Sequence, residues 1–202
     1  MKKAVTLIFT LVMFCSFAIC ANAEVFNGAD LFTVDLPEGF EQTGANISDF
    51  NFTNENGDTF TVSYNDNTSE DYIFCPANMS KKDIEEYTNA LSTESVNVMK
   101  DYADAFELKF LSAEKIKHPN GKKAIVCQTK TTITQNKKDN IYYQTLYEFG
   151  GAYYKYTFTY TTTDEDKKDN FNEVFKSIDV FEAETESNLD KLSTYAIAGA
   201  LA

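Results

Sequence analysis

Apolar positions follow three spacings along this chain, and the changes between them mark its elements. Residues 4–20 run almost without a polar break, a stretch of 17. Phe32, Val34 and Leu36 then alternate with polar residues up to Pro37 and Gly39, which predicts a short strand and a turn. Phe50 and Phe52, and after them Phe60, Val62 and Tyr64, alternate on either side of Asn56-Gly57-Asp58. This is the clearest hairpin pattern in the chain. Residues 69–78 are irregular, with an apolar cluster at Tyr72-Ile73-Phe74-Cys75. The period then lengthens. Ser80 and Asp83 form a capping-box pair, and Ile84, Tyr87 and Leu91 fall on one helical face. A break is expected near Ser92 and Thr93, beyond which Val96, Met99 and Tyr102 repeat the spacing without caps.

Period two returns afterwards. Strands are predicted over 106–116, 122–134, 141–149 and 152–162. His118-Pro119-Asn120-Gly121, the polar stretch 135–140 and Gly150-Gly151 connect them. In the last strand Tyr154, Tyr156, Phe158 and Tyr160 share one face, and Lys155, Thr157 and Thr159 the other. One face reads as aromatic and one as wet. A final helix is expected to start near Thr163, with Asp164, Glu165 and Asp166 in its first turn, where the dipole favours acids. Phe171, Val174, Phe175 and Ile178 give it an i, i+3, i+4, i+7 stripe. The sum is an α+β fold: an antiparallel sheet with helices packed on it.

The first apolar run has a separate meaning. Lys2 and Lys3 precede it and Ala21-Asn22-Ala23 follows in the A-x-A pattern, so residues 1–23 read as a cleaved signal peptide. An anchor that stays attached is the alternative, and the cleavage pattern argues against it. The expected protein is therefore secreted or associated with the cell envelope. A single domain is expected over 24–181, and a tail, acidic and then weakly apolar, over 182–202. The tail is too short to span a bilayer. It would become a membrane tether only if the natural chain continued beyond Ala202.

Charge narrows the partners. The chain carries −13, contains no arginine, and reaches −15 once Lys2 and Lys3 leave. Such a surface repels phosphate backbones, so nucleic acid is not an expected partner. An unknown protein or cell-envelope component is. Of four cysteines, Cys15 and Cys20 leave with the signal peptide. The remaining even pair in an exported chain predicts one disulfide, Cys75–Cys127, with two buried thiols as the alternative.

Catalytic chemistry finds little support. His118 is the only histidine and reads as an exposed loop residue. No G-x-S-x-G elbow, metal-spaced His/Cys cluster or glycine-rich phosphate loop occurs. No catalytic or cofactor-binding residue is assigned. Calcium is the one candidate ion, with Asp164, Asp166 and Asp169 as weak candidate ligands, and Asn54, Asn56 and Asp58 as a second oxygen-rich turn. Neither matches an EF-hand loop. Four N-x-[ST] sequons stand at Asn46, Asn51, Asn67 and Asn78. Tyr143, Tyr147 and Tyr153 are the candidate recognition face, to be judged by their exposure.

Element order adds a resemblance. A strand running into F-T-V-D-L-P-E-G-F from Phe32, a hairpin, the helix S-K-K-D-I-E-E-Y-T-N-A-L from Ser80, antiparallel strands, and D-N-F-N-E-V-F-K-S-I-D-V from Asp169 follow in turn. This resembles the PsbP-like domain family over about residues 25–181. That family includes the photosystem oxygen-evolving extrinsic protein and small exported bacterial proteins. The resemblance implies an α/β/α sandwich and a non-catalytic binding or accessory role, and it carries no active-site residue. Two other readings stay open: a calcium-stabilised structural domain, and a small extracytoplasmic hydrolase using paired carboxylates.

Overall fold

The computed structural model describes residues 24–46, 48–68 and 73–184. Residues 1–23, expected to be a signal peptide, and residues 185–202 of the expected tail lie outside the described residues. The chain runs β1 (Glu24–Gly28), β2 (Phe32–Leu36), β3 (Glu41–Ala45), β4 (Asp49–Thr53), β5 (Thr59–Asp66), a 3-10 turn (Pro76–Asn78), and α1 (Lys81–Met99). It continues as β6 (Ala105–Lys117), β7 (Lys123–Gln135), β8 (Lys138–Gly150), β9 (Tyr154–Thr162), a 3-10 turn (Glu165–Lys167), α2 (Asn172–Ser177) and β10 (Asp179–Val180). Seven strands form one antiparallel sheet in the order β3-β4-β5-β9-β8-β7-β6, and β1-β2-β10 form a small second one.

Side-chain parity assigns each face of the large sheet to its own core. Phe60, Phe149, Tyr156, Phe158 and Tyr160 face β2 and α2, where Phe32, Val34, Phe171 and Phe175 meet them. Edge-on and stacked ring pairs fill this core, with Tyr160 on Phe171 at 4.2 Å and Tyr147 on Phe175 at 4.1 Å between centroids. The opposite face presents Ile125, Cys127 and Leu146 to Phe74, Met79 and Ile84. The result is a three-layer α/β/α arrangement, with α2 and the small sheet on one side and α1 on the other.

Several boundaries differ from the sequence pattern for identifiable reasons. The Ser80–Asp83 capping box is present, but α1 passes through Ser92 and Thr93 unbroken. Their hydroxyls have acceptors, Leu108 O at 3.4 Å for Ser92 and Asn89 O at 2.9 Å for Thr93. The β7–β8 turn is only Asn136-Lys137, both left-handed at φ 52° and 62°. A two-residue turn of that kind matches the strand twist, so β8 starts three residues early. The last helix is split. Asp164 caps a 3-10 turn by accepting from Asp166 N, and Thr145 Oγ1 holds Lys168 O at 2.9 Å before α2 starts. Residues 182–184, expected to begin the tail, pack on the β8–β9 connection: Ala152 N donates to Ala183 O, and Glu182 accepts from Tyr153 N and Tyr154 N.

The Cys75–Cys127 disulfide is absent: both residues are buried and they are not bonded to each other. Cys127 sits among the side chains under α1, while Cys75 leads into the 3-10 turn and accepts from Asn78 Nδ2 at 3.4 Å. An even cysteine count says nothing about whether two Cβ vectors converge. Two consequences are expected for the folded protein. Reductant leaves its melting temperature unchanged, and a thiol reagent titrates both groups only once denaturant unfolds the chain. A reductant-dependent drop of several degrees would contradict the absence of this disulfide.

Candidate functional site

The side chains under α1 form the most distinctive chemical arrangement of the described residues. Glu148 on β8 is 2% exposed. Its Oε1 accepts from Lys155 Nζ at 2.6 Å and from Tyr87 Oη at 2.7 Å. Glu148 and Lys155 are diagonal neighbours, since Glu148 pairs with Thr157 and Gly150 with Lys155. Tyr87 reaches down from α1 to close the cluster, and Lys155 Nζ also donates to its hydroxyl. Lys155 lies over the rings of Phe74 and Tyr87, at 4.5 and 4.9 Å from their centroids. Glu148 Oε2 is buried with no hydrogen-bond partner among the described residues.

Tyr87 also lines a groove of about 660 Å³. The α1 flank forms one wall, with Tyr87, Ala90 and Leu91; Ile73, Cys75 and Met79 form the other. Three interactions hold the second wall. Gly150 lets it approach β8, because a Cβ there would stand 2.1 Å from Phe74 O. Lys115 Nζ donates to Ala77 O and Met79 O. Buried Asn67 binds the backbone of Phe74 on both its N–H and its C=O.

Burial pushes the Cys127 thiol up to about 12 from its usual 9.0; neighbouring Glu148 adds to this and Lys155 opposes it. The thiol is therefore no nucleophile at neutral pH. The shift also has a stability consequence. A group with a raised folded pKa contributes stability that is complete below its unfolded value and is lost as pH climbs through the folded one. Tyr160, raised by burial and Asp58 to about 12, acts with the same sign. The melting temperature is expected to fall steadily between about pH 9 and 12, and Cys127→Ala should move the onset toward pH 10. A flat profile to pH 11 would refute this.

The sequence candidates are dispersed. Tyr143 is buried and its hydroxyl donates to Glu165 Oε2 at 2.9 Å. Tyr147 is stacked on Phe175, and Tyr153 is 66% exposed. The three are not brought to one exposed face. Among Asp164, Asp166 and Asp169, Asp164 caps its 3-10 turn and Asp169 accepts from Gln128 Nε2 at 2.7 Å. Asn54 Oδ1 accepts from the Asn56 and Asp58 amides inside its own turn. Among the described residues no three His, Cys, Asp or Glu side chains are grouped to hold a metal ion. His118 is buried rather than exposed. Its Nε2 donates to Phe175 O at 2.6 Å and its Nδ1 accepts from Asn120 N, so it fastens the β6–β7 turn to α2. The buried carboxylates, Asp58 and Glu148, do not converge. Glu148 pairs with Thr157, while Asp58 adjoins Thr59, which pairs with Thr161, four β9 residues or about 13 Å away.

The groove itself lacked a sequence signal. Its walls come from residues 73–79 and from α1, brought together by Asn67, Gly150 and Lys115. The one available hint was Lys155, a lone cation within the aromatic strand.

No family model matches the chain, and no curated protein does. Solved structures match in fold. The Ran-binding protein Mog1p of Saccharomyces cerevisiae superposes with a TM-score of 0.50 at 7% identity, over 80% of this chain and 97% of that one. A Bacteroides thetaiotaomicron protein matches at 0.47 and 12% over 80% of this chain and 49% of its own, so the chain spans about half that protein's length. A Pseudomonas aeruginosa protein of unknown function, described as a putative regulator, matches at 0.36 and 12%, over 77% of this chain and 95% of its own. The likeness to Mog1p is one of fold. Among the described residues, no helix is long and apolar enough to cross a membrane.

Proposed function

We propose that the mature chain is an exported, non-catalytic binding or accessory domain of the PsbP-like family, and that the groove along α1 is its ligand site. The groove carries this reading: about 660 Å³ of largely apolar cleft stands open beside the buried cluster, with Tyr87 common to both. Its chemistry suits holding a partner more than transforming one. Cys75 is the thiol in its lining, and the chain's one histidine is engaged on the opposite face of the sheet. Ran binding belongs to Mog1p, and a binding role here is in keeping with it.

The test compares the mature domain with Ala90→Phe, which fills the groove from an exposed helix position. Each is used to capture partners from the native cell envelope, followed by mass spectrometry. A partner retained by the first and lost with the second is the expected result. Identical capture by both would refute the groove as the site. Export is tested separately: the extracytoplasmic protein should begin at Glu24, and a cytoplasmic pool beginning at Met1 would refute it.

A further inference from the structure

The groove is acidic where it meets solvent. Asp83, Glu86 and Glu94 line it, and no lysine does. On α1, positions 83, 86, 87, 90, 91 and 94 form one flank, with Ala90 leaving a gap between carboxylates. Glu94 stands eleven positions after Asp83, about 16 Å along the axis. That length accommodates roughly three turns of a second helix. At Leu91 and Glu94 the groove joins another of about 530 Å³, which passes Val98, Met99, Phe106 and Leu108. Val98 is 57% exposed there. An apolar floor therefore extends along most of α1 under a carboxylate edge.

Those carboxylates are incompletely neutralised. One Asp83 oxygen accepts from Ser80 N. Glu86 meets Lys82 at 3.0 Å, but that pair is largely exposed and so contributes little. Glu94 makes no ion pair among the described residues. The chain's charge of −13, with no arginine, adds a negative field of longer range.

The geometry points to one class of ligand: a cationic amphipathic helical segment of a partner protein, its apolar face in the groove and its lysines or arginines against Asp83, Glu86 and Glu94. This rests on the groove being the binding site. An acidic segment meets the same floor but is repelled at the edge, and a purely apolar one leaves the carboxylates without a cation. The same acids repel an anionic lipid surface. A polybasic segment without an apolar face finds charge but leaves the floor unfilled.

The chain contains no tryptophan, so a tryptophan-bearing peptide reports its own surroundings. The probe is an eleven-residue helical peptide with leucines and one tryptophan on one face and lysines on the other. A glutamate-for-lysine version and a lysine-only peptide serve as controls. The expected result is a blue-shifted emission on binding that is abolished by Ala90→Phe. Glu94→Gln weakens binding severalfold, while Glu38→Gln, an exposed acid beyond β2, leaves it unchanged. The lysine-only peptide fails to compete. Equal binding of the glutamate peptide, still blocked by Ala90→Phe, overturns the cationic preference and leaves the groove reading standing. Lysine-peptide binding indifferent to Ala90→Phe is general charge attraction and overturns the inference. So does the absence of any binding, whereas the capture experiment separately decides the groove's role.

Discussion

Replacing Lys155 by methionine is expected to destabilise the fold by about 3–5 kcal/mol, the cost of stranding a buried carboxylate. Methionine keeps most of the apolar stem between the Phe74 and Tyr87 rings, so packing changes little. What disappears is the cation 2.6 Å from Glu148 Oε1. Glu148 then retains one hydroxyl donor, Tyr87, and an Oε2 that has none among the described residues. Removing both charges should recover most of the loss. In the pair Lys155→Met with Glu148→Leu no buried charge remains, and such replacements are often neutral or stabilising. Denaturant titration of the two single variants and the double one gives the coupling directly. A loss under about 1 kcal/mol for Lys155→Met would mean that the cluster is wet and contributes little.

This cluster also shows where sequence reasoning stops. Alternation along β9 correctly sends Tyr156, Phe158 and Tyr160 into one core. It sends Lys155 to the other face, where a lysine implies water. That face is instead covered by the 73–79 segment and by Tyr87, and neither has a local pattern aimed at β9. The legible features were local ones: the β4–β5 hairpin, the Ser80–Asp83 box, and the Phe171–Ile178 stripe. The strands that went unseen lacked a repeating apolar side. β3 is Glu-Gln-Thr-Gly-Ala at a sheet edge, and β10 is two residues long. His118 illustrates the same limit. A histidine beside Pro119-Asn120-Gly121 has the context of an exposed turn, and only the arrival of Phe175 O, 57 residues later, buries it. Residue types and spacings reveal elements, whereas this groove arises from contacts between segments far apart in the chain.

Asn67→Ala should be the second severe substitution, costing about 3–4 kcal/mol, because its side chain stitches three segments together. Nδ2 donates to Gly151 O at 2.9 Å and to Phe74 O at 3.1 Å, and Oδ1 accepts from Phe74 N at 2.7 Å. Its own backbone N–H donates to Tyr153 O. Alanine leaves the Phe74 amide and two carbonyls without those partners in a site that is 3% exposed at Asn67. Asn67→Asp separates hydrogen bonding from size. The carboxylate can still accept from Phe74 N, but its second oxygen faces two carbonyls. It should therefore be at least as damaging as alanine, and a mild aspartate variant would contradict the network. The same logic excludes Asn67 as a glycan acceptor in the folded chain, although Asn67-Thr68-Ser69 is a sequon. Because Asn67 fixes the wall that carries Cys75 and Met79, its loss should also weaken binding in the groove, even under conditions where the variant remains folded. Denaturant titration measures the first effect and the tryptophan-peptide assay the second. Full peptide affinity in a destabilised Asn67→Ala protein would show that the groove wall is held by Gly150 and Lys115 without it.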